Sequence, residues 1–132
     1  MAGTFAEIGR VEAIRQLFEG SGYAAFEEPL AVKGEGDCSA VAASRLLLEG
    51  TDFSLVYFPL KHLGYKSVIA VTGELYASLA RPESLSIILG ISSKLDLEQV
   101  KEFWSGVLVA AKEHGYGHLA LDLVPSRNGL AI

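Results

Sequence analysis

The chain is predicted to fold as one α+β domain, with a mixed, mainly antiparallel sheet and helices on one of its faces. Three observations predict it. Apolar residues recur at helical spacing behind capping residues; several short runs are β-branched and aromatic; and these two kinds of segment interleave without the long strand–helix series of an all-parallel sheet. A length of 132 residues suits one hydrophobic core and is short for two, so residues 1–132 are read as a single domain.

Thr4-Phe5-Ala6-Glu7 has the spacing of a capping box. Phe5, Ile8, Val11, Ile14, Leu17 and Phe18 follow it as one stripe up to Gly20 and Gly22, which predicts a first helix. Tyr23 to Cys38 carries Pro29, Gly34 and Gly36 without periodicity and reads as a connection holding at most a short strand. Ala40–Leu48 and Phe53–Phe58 read as strands broken near Glu49-Gly50. Pro59 opens a helix whose apolar face runs through Leu60, Leu63, Val68, Val71, Leu75 and Leu79 until Arg81-Pro82. Leu85–Ile91 is a mostly buried strand. Asp96 and Gln99 form a second capping-box pair ahead of a helix ending at His114-Gly115. His118–Val124 and Gly129–Ile132 complete the strand material.

Half the residues are hydrophobic and a fifth are charged, a globular balance rather than a disordered one. The net charge of -5 opposes a nucleic-acid partner, whose affinity comes mainly from Lys and Arg on phosphates. No apolar run approaches the roughly 20 residues of a membrane span, and no secretory leader is visible. A single cysteine, Cys38, builds no internal disulfide, which fits a reducing compartment, and a cytoplasmic protein is expected. The three histidines show no zinc-site spacing.

The run Leu46-Leu47-Leu48-Glu49-Gly50-Thr51-Asp52-Phe53, followed by Pro59-Leu60-Lys61-His62-Leu63-Gly64-Tyr65-Lys66, resembles the thiamine-monophosphate kinase family within the wider aminoimidazole ribonucleotide synthase group. That family carries Leu-Leu-Val-Glu-Gly-Val-His-Phe ahead of a helix with Leu-Gly-Tyr-Lys-Ala. The likeness runs over roughly residues 4 to 132 and corresponds to the family's N-terminal half, and a chain without the second family domain is the expectation. It implies a small βαβαβ-type α+β domain whose sheet pairs with that of a second copy into a barrel across a dimer axis. Such a homodimer would also cover an apolar sheet face that a soluble monomer leaves open.

The resemblance further implies ATP-dependent phosphoryl transfer, in which carboxylates hold the magnesium ions that neutralise the transferring group. The family's Gly-Asp-Asp-Ala-Ala motif falls on Gly36-Asp37-Cys38-Ser39-Ala40, keeping Asp37 and replacing the second aspartate by Cys38. Its Thr-Asp falls on Ser44-Arg45, a cation in place of an anion. Its Asn-Leu-Ser-Asp falls on Val71-Thr72-Gly73-Glu74, where Val71 and Gly73 depart from the motif and Glu74 keeps a carboxylate. Its Gly-Gly-Asp-Thr falls on Ala120-Leu121-Asp122-Leu123, where Asp122 remains. A strand–turn–strand insertion usual in the family between Val41 and Ser44 is missing.

Asp37, Glu74 and Asp122 are therefore expected as the remnant of a metal site. A guanidinium about 4 Å from a divalent ion opposes it by on the order of 8 kcal/mol at an effective dielectric of about 20. The expectation is a non-catalytic, dimer-forming domain, a degenerate or engineered relative that needs no cofactor. The alternative is a reduced site in which the three carboxylates gather one magnesium while Ser44 and Arg45 bind a phosphate, giving an ATP-dependent phosphotransferase or a nucleotide-binding domain.

Overall fold

The computed structural model describes residues 5–23, 31–33 and 39–132. Thr4, Pro29, Gly34, Gly36, Asp37 and Cys38 lie outside the described residues, and the first capping box with them. The expected single first helix is two, α1 (Phe5–Ile8) and α2 (Arg10–Phe18). Gly9 stands between them at φ 84, a left-handed conformation that a helix cannot continue through. The apolar stripe is broken there, and Val11 and Leu17 stay exposed. The connection that follows holds the expected short strand, β1 (Ala31–Lys33), paired antiparallel with β2 (Ser39–Val41).

The strands predicted over Ala40–Leu48 and Phe53–Phe58 are corrected by the structure. Only Ala40 and Val41 belong to β2, and Ala42–Leu46 takes no regular form. Phe53–Phe58 is a succession of turns, in which the Tyr57 and Phe58 amides both donate to the Ser54 carbonyl at 3.2 and 2.9 Å. The cause is local. Gly50 sits at φ 86, the amides of Thr51 and Asp52 both return to the Leu48 carbonyl, and an Asp52 carboxylate oxygen accepts the Leu48 amide at 2.8 Å. Backbone groups engaged in turns are not free for a ladder. The aromatic residue that suggested a strand, Phe53, is instead buried in the core.

After Pro59 comes α3 (Leu60–Ala77). It ends before Arg81-Pro82, because the chain leaves the helix through Leu79 at φ 58, and Leu79 is exposed rather than on the apolar face. The fourth helix, α4 (Leu97–Glu113), starts as predicted. The Gln99 amide donates to Asp96 Oδ1 at 2.8 Å and the Asp96 amide to Gln99 Oε1 at 3.0 Å, a reciprocal cap that stabilises the first turn by about 1 kcal/mol. The two long helices cross at bare backbone. A Cβ on Gly64 would lie 2.0 Å from the Phe103 carbonyl oxygen, and one on Gly106 would lie 1.9 Å from that of Lys61. This approach seals Leu63, Val68, Phe103, Val107 and Ala110 into the core.

The longest ladder joins β3 (Ser84–Ile91) to β4 (His118–Pro125), and it is parallel, from Ser84 opposite His118 to Ile91 opposite Pro125. The mainly antiparallel sheet is thus corrected: α4 is a crossover between the two strands and returns the chain in the same direction. Strand β3 is not mostly buried but alternates, with Leu85, Ile87 and Leu89 in the core beneath the helices and Ser84, Ser86 and Ile88 exposed. The long helices do lie on one face. Every residue of β4 is exposed, and the sheet is open.

The last residues form a short rung between β3 and the segment before the turns. Ala131 exchanges both backbone hydrogen bonds with Gly90, at 2.8 and 3.0 Å, and Ile132 exchanges both with Leu47, each at 2.9 Å. No helix among the described residues is long and apolar enough to cross a membrane.

Candidate functional site

Of the described residues singled out from the sequence as site candidates, the structure joins two by a direct contact. Arg45 lies on the irregular segment before Leu47, and Glu74 lies in the last third of α3. Leu47 is pinned to Ile132 beside the end of β3, which directs the preceding residues along α3. The Arg45 Nη1 and Glu74 Oε1 atoms are 3.1 Å apart, with both side chains about half exposed. Solvent screening leaves such a pair roughly 0–1 kcal/mol of stabilising effect. Its consequence is chemical rather than energetic: the Glu74 carboxylate already holds a guanidinium.

The remaining candidates are spread out. Asp122 sits mid-way along β4, opposite Ile88, and its Oδ1 accepts the Leu123 amide at 2.9 Å. Ser44, Arg45 and Val71 line one cavity of about 1340 Å³ between the segment from Ala40 to Leu47, α3 and β3. Gly73 is on the outside of α3 with open space around it. Asp37 and Cys38 lie outside the described residues. Among the described residues, no three His, Cys, Asp or Glu side chains gather closely enough to hold a metal ion.

The residues that carried the family resemblance have structural tasks. Leu63 is fully buried, and Gly64 admits the α4 backbone. Tyr65 donates its hydroxyl to Glu113 Oε2 at 2.5 Å. Lys66 donates to the Asp52 carbonyl at 3.3 Å and lies 5.1 Å from the centre of the Phe58 ring, clasping the turns to α3. Two further links were not visible in the sequence. Thr72 Oγ1 meets the Tyr116 hydroxyl at 2.7 Å, and the Tyr76 hydroxyl meets His114 Nδ1 at 2.8 Å. Each partner is more than 35 positions away, beyond the reach of any local pattern.

The Tyr65 link has a pH signature. The hydrogen bond to Glu113, desolvation and the nearby carboxylate charge together raise its phenol above the ordinary value of 10.0. A raised folded-state value means that folding favours the neutral phenol, so the contribution is complete below the unfolded value of about 10. It is lost as pH rises through the folded value. The stability difference between the native chain and Tyr65→Phe is expected to be constant to about pH 10 and to shrink above it, as denaturant titrations across that range would measure.

No protein-family profile matches the chain, and no curated protein does. Solved structures do. The chain is similar to thiamine monophosphate kinase from Aquifex aeolicus, with a TM-score of 0.78 and 17% identity over 98% of this chain and 41% of that one. It is similar to AaThiL complexed with AMPPCP and TMP, with a TM-score of 0.81 and 18% identity over 99% and 42% of the two chains. It is also similar to tt0281 from Thermus thermophilus, with a TM-score of 0.76 and 22% identity over 97% and 43%. The chain spans about two fifths of each of these proteins, and at these identities what is shared is the fold.

Proposed function

We propose that this chain is a dimer-forming domain with the fold of a thiamine-monophosphate kinase N-terminal half, that it works in the cytoplasm, and that it holds neither magnesium nor ATP and transfers no phosphate. The observation that carries the reading is the contact of Arg45 with Glu74 at 3.1 Å. Phosphoryl transfer needs divalent cations held by several oxygen ligands. Here a fixed positive charge occupies the Glu74 carboxylate, and Asp122, on another element, accepts the Leu123 amide.

The dimer is supported by the open sheet. Leu119, Leu121 and Leu123 of β4 turn to the same face as Leu85, Ile87 and Leu89, Val124 and Ile88 turn to the opposite face, and all five are exposed. Large apolar residues exposed on both faces of one open strand are uncommon on a soluble monomer and are readily covered by a second copy.

Thermal unfolding of the purified chain with and without millimolar Mg-ATP tests the first claim. An unchanged midpoint is expected, whereas a ligand at about a hundred times its dissociation constant adds about 2.7 kcal/mol. A saturable upward shift would revive the phosphotransferase or nucleotide-binding reading. Light scattering over a dilution series tests the second claim. It is expected to give twice the chain mass of 14.1 kDa at high concentration, and a monomer mass throughout would remove the dimer.

A further inference from the structure

Strand β4 and the rung at Leu130–Ile132 are joined by a bend that is held at both ends and not between them. The Ser126 amide donates to the Ile91 carbonyl at 2.9 Å, and the Leu130 carbonyl accepts the Glu49 amide at 3.1 Å. Between these anchors Arg127, Asn128 and Gly129 make no hydrogen bond or ion pair with a described residue. Asn128 is exposed in the middle of the bend. Two constraints reserve the next position for glycine. Gly129 holds φ 96, which L side chains rarely adopt, and a Cβ there would run into the Glu49 carboxylate.

After an exposed asparagine, then, the fold requires the residue that shields its own amide nitrogen least. We infer that Asn128 is a modification site, at which the chain deamidates and isomerises with water as its only reagent. The Gly129 amide nitrogen gives its proton to hydroxide and bonds to Asn128 Cγ. The Cγ–Nδ2 bond breaks, and Nδ2 leaves as ammonia after taking a proton from water. The product is a cyclic succinimide. Water that opens it at Cγ gives aspartate. Water that opens it at the main-chain carbonyl carbon gives isoaspartate, in which the chain runs through Cβ and Cγ and is longer by a methylene. A hydrogen-bonded segment reacts only from its locally opened state, in proportion to that state's population. This bend has no such bonds to open, so folding does not protect it.

The consequence falls on the rung. It holds β3 through the Gly90–Ala131 pair and the segment carrying Arg45 through the Leu47–Ile132 pair. Its register is set by the short span from Ser126, which is pinned to Ile91, to Leu130, which is pinned to Glu49. The extra methylene of isoaspartate in that span displaces Ala131 from Gly90 and Ile132 from Leu47. The aspartate form has a main chain of native length and leaves both pairs in place. Two products of equal mass therefore differ in what they do to the fold.

Asn128 is the single asparagine of the chain, and the other side-chain amides are Gln16 and Gln99. Mass spectrometry with peptide fragmentation therefore places any conversion and separates aspartate from isoaspartate. The chain is incubated at mildly alkaline pH, folded and in urea. Conversion at Asn128 is expected in the folded chain at a rate within about tenfold of that in urea, and not at this position in Asn128→Gln. A folded chain that converts more slowly than this, or only at Gln16 or Gln99, would overturn the site. In the purified isoaspartate form, exchange of the Leu47, Gly90, Ala131 and Ile132 amides is expected to be at least about tenfold faster than in the native chain, with native exchange in Asn128→Asp. Native exchange in the isoaspartate form would overturn the link to the rung. So would equal loss of protection in Asn128→Asp, which would make added charge the cause instead of the longer main chain.

Discussion

Gly106→Ala is expected to destabilise the chain by about 3 kcal/mol and to lower its unfolding midpoint by on the order of 10 °C, readable by calorimetry or circular dichroism. The added methyl would sit 1.9 Å from the Lys61 carbonyl oxygen, 2.8 Å from its carbon and 3.0 Å from the Tyr65 amide nitrogen. All three are backbone atoms inside a helix, so no side chain can swing aside and the helices must separate. Separation opens the seam that closes over Leu63 and Val107, both fully buried. Gly64→Ala should behave alike, since its methyl would meet Phe103 backbone. Gly73→Ala is the control in the same helix. A Cβ there meets nothing within 4 Å, and replacing an exposed helical glycine should stabilise by roughly 0.5–1 kcal/mol. Two alanines in one helix with opposite effects would locate the cost in the crossing and not in helix propensity.

Arg45→Asp is expected to tighten magnesium binding at least tenfold, equivalent to about 1.4 kcal/mol, measured by calorimetric titration. The substitution removes the guanidinium from Glu74 and supplies a hard oxygen ligand where the family likeness places an aspartate. Screening at a half-exposed site reduces the Coulomb gain well below its low-dielectric value, so tenfold is the modest end of the expectation. An unchanged affinity would mean that the carboxylates no longer converge and that the substitution of the arginine is not what silences the site.

How far the sequence spoke depended on how local the cause was. The Asp96–Gln99 cap was legible because both partners lie within four residues and each needs only the other. The long helices were legible through their apolar faces. Phe53–Phe58 was misread because aromatic residues serve a core as well as a strand, and the Asp52 carboxylate that turns the chain gives no periodic signal. The parallel ladder is not legible in strand composition, because two strands read alike whichever way they pair, and only the α4 crossover sets their common direction. Glycine at 64 and 106 registers in sequence only as a weak helix residue, until the partner backbone is known. Within the site, Arg45 stands in the sequence as a cation where the family likeness expects an acid, but its partner is not legible there: 29 positions separate it from Glu74, and only the fold brings them together.

The claim that Arg45 and Glu74 neutralise one another and leave no divalent-ion site is tested most directly with manganese, a paramagnetic substitute for magnesium, titrated into the isotopically labelled chain. Diffuse, weak broadening spread over the acidic surface is the expected result, with no preference for α3 or β4. Selective loss of the signals of Glu74, its neighbours in α3 and Asp122 at substoichiometric manganese would contradict it.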